Sequence, residues 1–197
     1  MDMGTFILVN IFYLDKDPVI AAQSMCDKHV VKMILESAQM LSTAVRVQSG
    51  DEKADELGLY KMAHKNHPST KWARKSYFNF MWLYKHMLAL MEEYTYRYGK
   101  NHATEKLIEP LHNSFYGEIH PFGENLEKFT DPPQCMPEEC KGDDTVLAYQ
   151  KYYIIEKAKI ATWNKTRSAP KWWKDSSDEE SRRLLGLHGQ EVARGQV

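Results

Sequence analysis

Between Pro18 and Val47 the sequence holds no glycine and no proline besides Pro18 itself. A run of this kind, opened by Asp17-Pro18 and followed by Gly50, predicts one long helix. Asp17 would cap it, and Pro18 would take the first turn, where a missing N–H costs nothing. Its apolar positions include Val30, Val31, Met33, Ile34, Leu35, Ala38, Met40, Leu41, Ala44 and Val45. These cover more than half of the circumference, so the helix must be largely buried. The polar residues that remain are His29, Lys32, Glu36, Gln39 and Thr43, which fall on one line along it. Burying a charge without a partner costs several kcal/mol, so this narrow stripe must be paired, hydrogen-bonded or open to a wet cleft. Two readings follow. Lys32 and Glu36 form an i,i+4 pair on a thin solvent edge, or Glu36 is a general acid or base flanked by His29 and Lys32.

The rest of the chain extends the helical pattern. Thr5 to Leu14 is rich in β-formers and predicts a short buried strand. Further helices are expected from Glu56 to His64, from Ser69 to Tyr98 with Gly99 as its stop, from Thr104 to His112, and from Asp143-Asp144 to about Trp163. Residues 115–142 carry Pro121, Pro132, Pro133 and Pro137 and read as a long loop, of a length that is usually functional or disordered. The expected fold class is mainly α: a single compact helical domain over residues 1–174, with a short N-terminal strand and a long Pro/Gly-containing loop. A polar, mobile tail over 175–197 completes it. The Ser69–Tyr98 helix has its own thin seam of Lys75, Asn79, His86, Glu93 and Arg97. Either the two seams face each other across a cleft, or each borders water separately.

Composition narrows the function classes. With 43% hydrophobic and 27% charged residues, neither disorder nor a membrane protein is indicated, and the Phe6–Phe12 run is too short to span a bilayer. The net charge is −1, yet the basic residues cluster locally. Lys61 to Lys75 contains no acid, and Lys151 to Lys174 contains only Glu156. The candidate DNA contacts are therefore His64, Lys65, His67, Lys71, Trp72, Arg74 and Lys75, then Lys151, Lys157, Lys165 and Arg167. The alternative is an ordinary solvated face. Cys26, Cys135 and Cys140 show no CxxC spacing, and His64 and His67 lack further ligands, so neither a metal nor another cofactor is expected. Reduced thiols and the absence of a signal segment suit the cytoplasm. No Gly-rich phosphate loop and no G-x-S-x-G elbow occurs, which argues against nucleotide triphosphatases and α/β-hydrolases.

The Asn10–Leu41 segment, with its D-K-H-V-V-K-M-I-L-E run over Asp27–Glu36, resembles proteins carried by bacteriophages. More distantly it is similar to the pyrimidine-dimer DNA glycosylase/AP-lyase family. His67-Pro68, the Glu93-Tyr94 and Arg97 end of a long aromatic helix, and Tyr149–Tyr153 add to that resemblance. It implies a helical enzyme that kinks duplex DNA and attacks the sugar C1′ with an amine. Glu36 matches its catalytic carboxylate, in the pattern Asp27, His29, Glu36. The family's amine is the α-amino group at the start of the mature chain, whereas nine residues precede Asn10 here. The amine is then supplied by a chain starting further on, or by Lys32 one turn from Glu36, or lyase chemistry has been lost. DNA is the expected partner. A nucleotide- or base-modifying enzyme acting on a small nucleotide, and a non-catalytic nucleic-acid or nucleotide binder, are the alternatives.

Overall fold

The computed structural model describes residues 9–116, 122 and 127–176. Eight α-helices occur among them: α1 (Pro18–Ser24), α2 (Asp27–Ser49), α3 (Asp51–Glu56), α4 (Pro68–Ala73), α5 (Tyr77–Tyr98), α6 (Ile108–Tyr116), α7 (Thr145–Glu156) and α8 (Lys171–Asp175). Two short 3₁₀ turns, Ala103–Leu107 and Glu138–Cys140, complete the regular structure. No helix among the described residues is long and apolar enough to cross a membrane. The mainly α class is as expected, and α2 and α5 pack along one another as its centre, with α1 across α5 and α4 against α2. Met33, Ile34 and Leu41 of α2 and Phe80, Leu83, Met87 and Leu90 of α5 are wholly enclosed there. Each such side chain contributes roughly 1.5–3 kcal/mol by leaving water.

The expected boundaries fail where the chain breaks without glycine or proline. The helix predicted from Pro18 to Val47 is two helices, parted at Met25 and Cys26, both in extended conformation. Arg97 of α5 causes the break. Its guanidinium donates to the carbonyls of Gln23 (3.0 Å) and Met25 (2.9 Å), which an uninterrupted helix would have used itself. The Ser69–Tyr98 helix is likewise parted, into α4 and α5, and Ser76 caps α5 by accepting from the Asn79 N–H. Gly99, left-handed at φ 67°, ends α5 as expected. No helix forms over Glu56–His64. Arg46 draws the carbonyls of Leu59 (3.0 Å) and Tyr60 (2.6 Å) toward itself, and Asp51 and Asp55 complete its fork. The last long helix stops at Glu156, short of Trp163.

The strand expected over Thr5–Leu14 is not paired in its described part, and its first four residues lie outside the described residues. Residues 9–14 are buried without a ladder, so side chains take up their backbone groups instead. Asn10 Oδ1 accepts from the N–H of Ile11 (2.8 Å) and Phe12 (3.2 Å), and Gln150 of α7 donates to the Leu14 carbonyl (3.1 Å). Of the long loop, residues 127–137 run irregularly before the second 3₁₀ turn. Residues 117–121 and 123–126, and the tail from 177, lie outside the described residues.

Four members of the seam expected on this helix are structural, and Lys75 is exposed before α5 begins. Asn79 holds Thr130 and the Trp72 carbonyl. His86 bonds the Pro18 carbonyl through Nδ1 (2.9 Å) and stacks on Trp82. Glu93 and Arg97 form a buried network with Asp27. Burial pushes the His86 imidazole down to about 4, and burial with nearby Lys157 and Lys32 pushes His29 down to about 3. Both rings titrate near 6.5 in an unfolded chain, so the fold binds fewer protons below that pH. Stability is complete above about 6.5 and is lost as pH falls toward the folded values, by up to about 1.4 kcal/mol per pH unit for each ring. Urea unfolding at pH 7, 6 and 5 should show this fall, reduced in His86→Phe. An unchanged midpoint over that range would show that these rings are not held neutral by the fold.

Candidate active site

The chemistry of the α2 stripe is decided by how deep each member lies. Lys32 reaches solvent, with its side chain 58% exposed, whereas the Glu36 side chain is only 7% exposed. One Glu36 oxygen receives Lys32 Nζ at 2.9 Å, and the other accepts from the backbone N–H of Asn10 at 3.3 Å. Two nitrogens thus flank a buried carboxylate, one on each oxygen. The i,i+4 pair the sequence allowed is formed, but only its lysine is on a solvent edge; the carboxylate is buried. Gln39 is partly buried beyond it, and Thr43 is tied to the Ala63 backbone by its hydroxyl.

Asn10 is fixed from several sides. Besides its bonds to Glu36, Ile11 and Phe12, its amide donates to the Cys135 carbonyl at 2.8 Å. Cys135 in turn meets Ser69 of α4 through its thiol (3.4 Å) and Tyr149 of α7 through its N–H (3.4 Å). The first turn of α4 is therefore tied, through Cys135, to the chain beside Glu36. Phe12 carries a φ of 53°, a strained value for a bulky residue, and the Leu14 N–H closes a tight turn onto its carbonyl (2.8 Å).

The strained turn places the Phe12 ring against His29, with centroids 4.4 Å apart and planes at 19°. Tyr152 stacks near the same ring at 6.0 Å, and Tyr153 meets it edge-on at 5.3 Å. The Tyr153 hydroxyl pairs with His29 Nδ1. His29 is thus a buried, neutral imidazole beside two lysines, one of them the partner of Glu36. Lys157 lies over the Tyr152 ring at 4.6 Å.

The basic stretches divide into exposed and engaged groups. Lys65 and Lys71 are exposed. Arg74 donates to the Lys65 carbonyl (2.5 Å), and Lys75 lies 3.9 Å from Glu127. Lys71, Arg74 and Lys75 line a surface groove of about 510 Å³ with Gln48, Pro68 and Thr130. His64 is exposed at φ 51°, and His67 caps α4 by accepting from the Ser69 N–H (3.2 Å). Trp72 lies in the core instead of on a stacking surface: it is 6% exposed, and its indole N–H donates to the Thr130 carbonyl (2.8 Å). Arg167 is also engaged. It clamps Glu93 with two bonds of 2.8 Å and stacks over Tyr96. Lys165 sits over Tyr98, and Lys151 is half-buried on α7. Among the described residues no group of three or more His, Cys, Asp or Glu side chains is placed to hold a metal ion.

Residues 9–106 match the family model of pyrimidine dimer DNA glycosylase. The chain is similar to the pyrimidine dimer DNA glycosylases. No curated protein and no solved structure matches it. The glycosylase-like segment holds Asn10, His29, Lys32, Glu36 and the whole of the first basic stretch. Tyr149, Tyr152, Tyr153 and Lys157, which close the aromatic side of the site, lie beyond it. Sequence reasoning found Tyr149–Tyr153 as an aromatic-basic run but had no signal for which ring would meet His29. It also had none for the Asn10 N–H on Glu36.

Proposed function

We propose that this chain is a DNA base-excision enzyme, a glycosylase with AP-lyase activity on damaged or modified pyrimidines in a reducing cytoplasm. The observation that carries this reading is the buried Glu36 carboxylate with a nitrogen on each oxygen, inside the segment similar to pyrimidine dimer DNA glycosylases. In the proposed reaction a neutral amine forms a bond to C1′ of the sugar and the pyrimidine departs with the bonding pair, taking up a proton. Loss of a proton from nitrogen and opening of the sugar ring give an imine. Glu36 steadies the positive charge on the sugar, then takes a proton from C2′, and the 3′ phosphate leaves by β-elimination.

Two nitrogens meet the positional requirement. In the full chain the Asn10 nitrogen is an amide, whose lone pair is delocalised, so Lys32 Nζ is the amine at Glu36, acting after it has given its ammonium proton to solvent. In a chain beginning at Asn10 the same nitrogen becomes an α-amine beside the other carboxylate oxygen. Borohydride trapping on UV-irradiated, abasic and undamaged duplex DNA tests the proposal with both chains. A covalent adduct on damaged DNA supports it, and sensitivity to Lys32→Ala distinguishes the two amines. No adduct and no strand cleavage from either chain overturns it, leaving small-nucleotide turnover or plain binding.

The groove beside α4 is the proposed path of the DNA backbone, with Lys65, Lys71, Arg74 and Lys75 along it and Lys157 on the opposite side of the site. Affinity for duplex DNA should then fall steeply with salt. Lys71→Ala and Arg74→Ala should each lower the slope of log affinity against log salt by about one. Trp72 borders this groove but is tied to the Thr130 carbonyl and has little ring face for stacking, and Arg167 is occupied by Glu93. A slope unchanged in both variants would place the DNA elsewhere.

A further inference from the structure

We infer that Tyr153, from beyond the glycosylase-like segment, positions His29 by fixing it as the tautomer with its proton on Nε2, so that His29 presents a hydrogen-bond donor to the reacting nucleotide. This inference rests on the proposed function for its substrate, though not for its tautomer.

The argument begins with the hydroxyl. Tyr153 is wholly enclosed, and burial raises its phenol well above the ordinary range, so it keeps its proton. That single proton has two acceptors within reach, His29 Nδ1 and the Cys26 sulfur at 3.9 Å. An imidazole nitrogen at close range is a far better acceptor than a distant thiol. The proton therefore goes to Nδ1, which must be bare, and the ring's own proton is on Nε2. Protonation of the ring would put an N–H against the Tyr153 O–H.

The surroundings keep the ring in that state. Lys32 faces it from α2 and Lys157 from the end of α7, and both oppose a positive charge on it. Glu36, two turns along α2, is paired to Lys32. Cys26 at the start of α2 is buried, and burial raises its thiol, so it contributes no thiolate. Phe12 presents its ring face, with Tyr152 stacked beyond it, and Trp172 of α8 packs edge-on to Tyr153. Among the described residues His29 Nε2 makes no hydrogen bond, and it is not one of the sealed, unpartnered polar atoms, so its proton is left for an acceptor from outside the fold. His86 shows the opposite arrangement: Nδ1 is bonded to a backbone carbonyl, which can only accept, and Nε2 is sealed in the core without a partner. The two buried histidines therefore carry their protons on different nitrogens. The His86 proton is used by the fold's own backbone, and the His29 proton is not.

Long-range ¹H–¹⁵N spectra of the full chain between pH 5 and 8 test this. The expected result is one histidine in the Nε2–H form that does not titrate, which loses that form in Tyr153→Phe and disappears in His29→Gln. A His29 signal in the Nδ1–H form, or one titrating near 6.5, overturns the inference whether or not the protein is a glycosylase. On damaged DNA, Tyr153→Phe should lower kcat on the order of tenfold with KM little changed, as expected for a misplaced donor. His29→Gln, which keeps an N–H at that reach, should retain more activity than His29→Ala. Equal activity in all three variants, with the spectra as expected, would confine Tyr153 to structure and overturn its positioning role.

Discussion

Glu36→Gln should leave the protein folded and lower damage-dependent cleavage and trapping by on the order of 10²–10⁴-fold. Glutamine has the same shape, and its carbonyl oxygen can still accept the Asn10 N–H that Glu36 accepts at 3.3 Å. Its amide has no charge to offer Lys32, but that lysine is largely exposed and stays solvated without its partner, while the buried position loses a charge that needed one. The structural cost is small for those reasons. The chemical cost is large because glutamine can neither steady a cationic sugar nor take its C2′ proton. Single-turnover cleavage together with urea unfolding separates the two. Full activity in this variant would remove the carboxylate from the reaction, and failure of the variant to fold would show that the charge of Glu36 holds the fold.

Arg97→Met should cost about 3–5 kcal/mol of stability, the usual result of removing one member of a buried ion network. Arg97 is completely enclosed, and four of its N–H groups are directed at Glu93 (2.7 Å), Met25 (2.9 Å), Asp27 (3.0 Å) and Gln23 (3.0 Å). Methionine fills much of the volume and satisfies none of them. Asp27 would keep only the Asn164 N–H, and Glu93 only Arg167. The carbonyls of Gln23 and Met25 would be free to rejoin a continuous helix, which would shift the start of α2 and His29 with it. Denaturant unfolding measures the loss. A change below about 1 kcal/mol, the size of an exposed pair, would mean that the break between α1 and α2 is held by something else.

The interior of α2 was legible in the sequence because its polar residues are few and collinear. Their pairing requirement identified Lys32 and Glu36 before any geometry was known. The same logic marked Glu93 and Arg97 on α5 as needing partners but could not name them, since Asp27 and Arg167 are some seventy positions away. Helix breaks at Met25-Cys26 and at Arg74–Ser76 were illegible for a related reason. Nothing in those residues forbids a helix, and the first break is imposed from outside by Arg97. Trp72 was misread because an indole among cations suits a base-stacking surface and a core equally well, and the Thr130 carbonyl that decides between them lies 58 residues on. Phe12 carried no signal at all, because a positive φ in a phenylalanine follows from tertiary constraint alone.

The wall around His29 also has a temporal side. Its contacts are among the longest-range in the molecule: His29 to Tyr153 spans 124 residues, Asn10 to Cys135 spans 125, and Leu14 to Gln150 spans 136. Closing loops of that length carries an entropic cost that only the finished fold can offset. During synthesis the acid and its lysine neighbour emerge early, on a helix whose histidine has neither its phenol nor its aromatic lining. Those parts arrive only when the residues of α7 leave the ribosome and settle onto residues 10–14. A growing chain therefore completes the surroundings of His29 only after α7 has been made.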